Sequence, residues 1–309
     1  MAPGAFIMQL GRRRLVAGAF SAGSLAARSL VTARKAGAVV VQDETWRAEG
    51  GGPGREAMGF RAHVALAHQP QFRGLMALSS DEGESWGVAS STWLGNVQGH
   101  GLLLTAAHVF ESDESAEDYV YRTPSGRIRQ GTDLVIHPKW SGSTDDTGGF
   151  DFAIVTLDAP VDDAGPPPLL YSANREMGRR IVMIGFGNRG IGSVGENAMY
   201  STGSDKAAAE NTVDEVMSAV GGKLSKGEEA GNWIAVTLHR TSDGGSRMDG
   251  ILGSGDSGGS AWLMAGTGWA ICGVNSSGGE KYEERAYFAR VSGVAEWIAK
   301  VVPGVRFAA

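Results

Sequence analysis

Gly255-Asp256-Ser257-Gly258-Gly259 is the stretch on which the reading of this chain turns. A serine hydroxyl is a weak nucleophile near neutral pH. It needs a neutral imidazole to take its proton, a carboxylate to orient that imidazole, and backbone N–H donors for the oxyanion that follows. Glycine at 255 permits a sharp turn that exposes its own N–H beside that of Ser257, and Gly258 and Gly259 leave room for a substrate chain. A loop of this composition also arises with no chemistry attached, so the five residues do not establish a nucleophile by themselves.

The partners lie upstream. Thr105-Ala106-Ala107-His108 closes the apolar run Gly101-Leu-Leu-Leu104, which sets one of the six histidines at a strand end. Asp151 opens Asp151-Phe-Ala-Ile-Val-Thr-Leu157 and holds a carboxylate at the mouth of another strand. Each has a plainer reading: His108 as a histidine under a loop, Asp151 as a turn residue.

Further runs with strand character are Gly74–Leu78, Trp86–Leu94, Asp133–His137, Arg180–Gly185, Trp233–Leu238, Ala261–Met264, Trp269–Val274 and Ala286–Val291. Strands this short and frequent, between Gly-, Asp- and Ser-rich turns, indicate an all-β sandwich or barrel protein. One helix is expected, capped at Ser292, with Val294, Trp297, Ile298 and Val301 as its apolar stripe and Pro303-Gly304 as its stop. Residues 203–232, with Ala207-Ala-Ala-Glu210, read as a second helix or a long loop. Residues 43–70, with Gly50-Gly-Gly-Pro-Gly54, read as a linker or pro-segment.

Residues 1–42 carry Arg12, Arg13, Arg14, Arg28, Arg34 and Lys35 and no acidic residue, leaving 22 basic and 34 acidic residues in the rest. The Arg pair ahead of a weakly apolar, small-residue stretch marks 1–42 as a targeting segment of the twin-arginine export kind, with Ala36-Gly37-Ala38 as a cleavage site. The late cations leave organellar import or a plain tail open. Secretion or a periplasmic location is the expectation from the first reading.

Together His108, Asp151 and Ser257 resemble the chymotrypsin/trypsin family over roughly residues 72–302. The order His, Asp, Ser is that family's and differs from the subtilisin and α/β-hydrolase orders. Val135-Ile-His-Pro-Lys-Trp140, Gly185-Phe-Gly-Asn188, and Phe288-Ala-Arg-Val291 followed by Glu296-Trp-Ile298 resemble further landmarks in the same order. The resemblance implies two six-stranded antiparallel β-barrels over residues 71–309, joined near 160–175, with a C-terminal α-helix. It implies a serine endopeptidase with His108 as base, Asp151 as orienting group, Ser257 as nucleophile, and the N–H groups of Gly255 and Ser257 as oxyanion hole. A protein or peptide substrate, no cofactor, no metal and a monomer are expected. The rival expectation is a protease-like binding module without activity.

The chain departs from the family in three places. Ser260 stands where proline is common, Val109 follows His108 where a disulfide cysteine is usual, and no Ile-Val-Gly-Gly lies upstream to supply a new amino terminus for Asp256. Another cation meets Asp256, or Val39-Val-Val41 is exposed by cleavage after Ala38. With Cys272 the sole cysteine, no intrachain disulfide forms.

Counting back from Ser257 puts Ile251 at the base of the primary pocket, with Ser276, Ser277, Gly278 and Ala286 in its walls. This favours a medium-sized apolar side chain, and a small insertion would bring Asp249 in and favour Lys or Arg instead. The net charge of −6 speaks against nucleic acid, and no run reaches the roughly 18 apolar residues of a membrane span.

Overall fold

The computed structural model describes residues 39–110, 114–143, 148–201, 205–218 and 231–309. Residues 1–38, most of the stretch read as a targeting segment, therefore lie outside the described residues. Its last residues do not: Val40–Val41 form a short strand, β1, and Val39, Val40 and Val41 are fully buried.

Residues 43–70, read as a linker or pro-segment, are folded. They fold into helix α1 (Asp43–Ala48), a 3₁₀ segment (Glu56–Phe60) and helix α2 (Arg61–Ala67). Trp46 and Phe60 sit in the core of the C-terminal half, and buried His63 places Nδ1 2.8 Å from the Ala208 carbonyl oxygen. The glycine run misled because Trp46, Phe60 and Ala67 give these short helices an apolar face, and burial of that face outweighs the turn signals.

A closed barrel follows, made of β2 (Leu75–Ser79), β3 (Ser90–Val97), β4 (His100–Thr105), β5 (Val120–Arg122), β6 (Ile128–Ile136) and β7 (Ala153–Leu157). The centres of β4 (Leu102, Leu103 and Leu104) and β7 (Ala153, Ile154 and Val155) are unbroken apolar runs because both faces are covered. Leu103, Val155 and Leu157 point into the barrel with Met76, Leu78 and Tyr121. The alternate residues Leu102, Leu104 and Ile154 point outward into a layer shared with the second half.

The second half starts with β8 (Leu169–Tyr171) and β9 (Arg180–Gly185). Two small strands, β10 (Gly190–Ile191) and β11 (Gly195–Glu196), leave the main sheet, which resumes with β12 (Ala207–Thr212), β13 (Glu215–Met217) and β14 (Trp233–Thr237). Next come β15 (Gly250–Ile251), β16 (Ser260–Ala265), β17 (Gly268–Gly278), β18 (Arg285–Arg290), helix α3 (Ala295–Val301) and β19 (Arg306–Ala308). The main sheet runs β12-β9-β16-β17-β18-β14-β13, with β8 and β19 joined in parallel at one side. Among the described residues its two ends do not pair, so it is a half-barrel beside a closed one. The small sheet β11-β10-β1-β15 carries the amino-terminal valines.

Ala207–Glu210, read as helix or loop, is a strand. Ala207, Ala208 and Ala209 are fully buried against β9, so sheet pairing overrides alanine's helix preference. The remainder of that stretch, 219–230, lies outside the described residues. Ser292 does not cap the closing helix: its Oγ donates to Glu176 Oε1 at 2.6 Å, and the α-helical turns begin only after Val294.

Candidate functional site

The first half brings His108 and Asp151 together. Strand β4 ends at Thr105, and a one-turn 3₁₀ segment (Ala107–Phe110) swings the His108 ring toward the second half. Opposite it, Phe150 adopts a φ of +74° and stacks on His137, with 4.9 Å between ring centroids. This bend carries Asp151 inward, where it is fully buried at the start of β7.

Asp151 then accepts three hydrogen bonds. The His108 backbone N–H donates to Oδ1 at 2.9 Å, the His108 ring meets Oδ2 through Nδ1 at 2.6 Å, and Ser276 Oγ donates to Oδ2 at 2.5 Å. A carboxylate only accepts, so the ring proton sits on Nδ1 and Nε2 is left with a lone pair. That lone pair lies 2.8 Å from Ser257 Oγ.

The second half supplies Ser257 on the turn between β15 and β16. The turn closes through Asp256 N–H to Gly253 O and Gly259 N–H to Asp256 O, each 2.9 Å. Gly255 has a φ of +94°, and a Cβ there would come 2.4 Å from the Gly87 carbonyl oxygen. Gly258 has a φ of +78°, and a Cβ there would come 2.0 Å from Thr105 Oγ1. These contacts exclude any side chain at either position. Among the described residues neither Gly255 nor Ser257 gives its backbone N–H to a protein acceptor.

Three residues fasten this turn that the sequence did not single out for the task. Ser90 donates its N–H to Ser257 O (2.8 Å) and its hydroxyl to Gly255 O (3.0 Å), and accepts the Phe186 N–H (2.9 Å). Asn275 is fully buried, and its Nδ2 donates to Asp256 O and Ile184 O. Ser260 Oγ lies 2.8 Å from Thr92 Oγ1 across the two halves and accepts the Trp262 indole N–H. Ser90 carries no motif, and only folding makes it a neighbour of residues 255–257.

Asp256 is fully buried and takes its donors from backbone: Gly253 N–H (2.8 Å), Gly187 N–H (2.9 Å) and Val39 N–H (3.2 Å). Burial pushes its carboxyl up to about 7. Arg189 acts on it only through space, since its guanidinium lies over the Phe60 ring. Val39 has a φ of +64°, which a β-branched residue adopts only under strain.

A cavity of about 290 Å³ adjoins Ser257, lined by Glu196, Leu252, Gly253, Ser254, Gly255, Ser276, Ser277, Gly278 and Glu280. Ser276, Ser277 and Gly278, expected in the pocket walls, are in this lining. Ile251 and Ala286 are not in the lining: Ile251 is fully buried opposite Val40, and Ala286 is fully buried in β18. The ungapped count failed because β15 turns its side chain into the core beneath β1. Asp249 is also elsewhere, bound to Arg180. The carboxylates at the cavity are instead Glu196, which accepts the Asn188 side-chain amide (2.9 Å), and exposed Glu280.

Among the described residues no three His, Cys, Asp or Glu side chains come together as a metal-binding group, and no helix is long and apolar enough to cross a membrane. No curated protein matches the chain. The Trypsin family model matches residues 95–298, about two thirds of the chain, a span that contains His108, Asp151 and Ser257. With its barrel and half-barrel of the chymotrypsin-like kind, this chain belongs to the trypsin family, the trypsin-like serine proteases.

Proposed function

We propose that this protein is a serine endopeptidase with Ser257 as nucleophile, His108 as general base and then acid, and Asp151 as the group that orients the imidazole. One observation carries the reading: the unbroken line from Ser257 Oγ to His108 Nε2 (2.8 Å) and from His108 Nδ1 to Asp151 Oδ2 (2.6 Å). Ser257 Oγ attacks the scissile carbonyl as its proton passes to Nε2. The N–H groups of Gly255 and Ser257 receive the oxyanion, and collapse hands the Nε2 proton to the leaving amine. Water then repeats the sequence on the acyl-enzyme and frees Ser257. Ser276 Oγ donates to Oδ2, the same Asp151 oxygen that the imidazole meets, and so helps to position the carboxylate.

The substrates are proteins or peptides. Glu196 and Glu280 at the Ser257 cavity favour Lys or Arg on the acyl side of the cleaved bond, because a cation entering there meets carboxylates. This replaces the apolar preference expected from Ile251.

Maturation by cleavage after Ala38 fits the same frame. A free Val39 α-ammonium at its present place would give buried Asp256 the positive charge it lacks and would relieve the positive φ, which ceases to be a backbone constraint at a chain start. Removal of an export leader at Ala36-Gly37-Ala38 would make that terminus, so secretion and activation would coincide.

A serine-directed fluorophosphonate tests the proposal on protein whose amino terminus is confirmed as Val39 by mass. Stoichiometric labelling, lost in Ser257→Ala, is expected. Absence of labelling in that form would leave a catalytically inactive binding module.

A further inference from the structure

A cleft of about 680 Å³ shares no lining residue with the Ser257 cavity. Its titratable lining is Arg73, Arg122, Lys206, His68 and Asp205. Asp205 is its one carboxylate and is engaged by the His68 ring at 2.9 Å. Three cations therefore converge on a single acid in a chain whose net charge is −6. Lys206 is half-buried with Nζ on the Phe72 carbonyl (2.9 Å); burial and the nearby Arg73 push its ammonium down to about 8. Asp205 already acts on Lys206 and Arg122, and a further anion beside Arg73 and Lys206 would lower the repulsion between those two cations.

The cleft is tied to the reactive centre through Arg122. Its guanidinium lies 4.8 Å from the centre of the Trp86 ring and 6.0 Å from that of Phe186. Trp86 precedes Gly87 and Phe186 precedes Gly187, the two residues whose backbone walls Gly255. A substrate whose carbonyl rests at Gly255 fills the Ser257 cavity with its acyl-side residue. The segment beyond the scissile bond is then the part free to run past Trp86 and Phe186.

We propose that this cleft is a subsite for acidic side chains on the leaving-group side of the substrate, lined by Arg73, Arg122 and Lys206. The proposal rests on the endopeptidase reading above. A guanidinium such as that of Arg73 matches a planar carboxylate with paired N–H donors, and the Lys206 ammonium adds a second charge beside it. An acidic chain overall repels extended polyanions, which favours one or two local carboxylates over nucleic acid.

The test uses two peptides with one acyl side and leaving segments that carry either Asp and Glu or the amides Asn and Gln. Wild type should cleave the acidic peptide with about tenfold higher kcat/KM at low salt, and Arg73→Glu should erase or reverse that preference. Lys206→Met is the second variant, and a small acyl ester without a leaving peptide reports whether each variant is folded and reactive. Equal rates for both peptides in wild type, or an acidic preference kept by both variants, would overturn the subsite. Binding of a fluorescent acidic peptide to Ser257→Ala protein, followed by anisotropy, reads the cleft without turnover. If wild type hydrolyses nothing, the endopeptidase reading falls. Anisotropy weakened by Arg73→Glu would then still support the cleft, and its absence would remove both.

Discussion

Two buried aspartates, one in each half of the molecule, show how differently the two regions are built. Asp151 and Asp256 are both fully inaccessible, and each accepts three hydrogen bonds. The donors to Asp151 come from His108 and from Ser276, on elements held by a closed barrel and its neighbouring sheet. Those to Asp256 are backbone N–H groups, one of them from Val39 at the edge of the described chain. In the proposed reaction the first carboxylate orients the base, His108, which β-sheet closure already puts in place. The second holds the turn that carries Ser257 and takes its hydrogen bonds from uncharged backbone donors. Burial and hydrogen-bond count alike are equal, so the identity of the donors decides what each acid does.

Ser257→Ala and His108→Ala strike the junction of the two regions. Either should lower kcat by about 10⁴- to 10⁶-fold while leaving thermal unfolding near wild type. Peptide hydrolysis within tenfold of wild type would break the proposed division of labour.

The dependence of Asp256 on Val39 gives the next effect. A chain made uncleavable after Ala38 should lose activity on the order of 10²-fold relative to the form that begins at Val39. It should also lose stability as pH rises. In the intact chain the buried carboxyl keeps its proton to about pH 7, whereas in the unfolded chain it is ionised above about pH 4. The folded state thus binds the extra proton, and its stability declines across that window by about 1.4 kcal/mol per pH unit, then levels off. With a Val39 ammonium in place that decline should vanish. Denaturant unfolding of both forms between pH 4 and 8 measures the difference, and parallel curves would count against the pairing.

Ser90→Ala sharpens the comparison more gently. It leaves Gly255 O and Phe186 N–H without their partner, so kcat should fall about five- to thirtyfold with little change in KM. A rise in KM alone would mean that Ser90 serves binding instead. The smallest effect expected is Glu280→Gln, which should cut kcat/KM for Lys and Arg substrates about threefold, since the carboxylate is exposed and screened. Initial rates on paired Lys and Leu peptides would show it.

Much of the fold could be read along the chain because period-two alternation and turn residues are local signals. The Leu102–Leu104 and Ala153–Leu157 runs announced buried strands, and His108, Asp151 and Ser257 fell in the family's order at strand ends. Residues 43–70 and 207–212 were misread. Their structure depends on what they pack against: Trp46 and Phe60 on the C-terminal core, the alanines on β9. The primary pocket was misplaced for a related reason. Counting positions assumes that every side chain faces as in relatives, whereas Ile251 pairs with Val40 and turns inward.

The sequence by itself determined the family, the all-β class and the three residues of the proposed reaction, since these rest on residue type, order and spacing. Only the tertiary structure decided that Ser90 fastens the turn that carries Ser257, that Val39 reaches Asp256 over 217 positions, and that Glu196 and Glu280 border the cavity beside Ser257. Contacts between residues remote in the chain are set by packing and sheet pairing, and no local pattern encodes them.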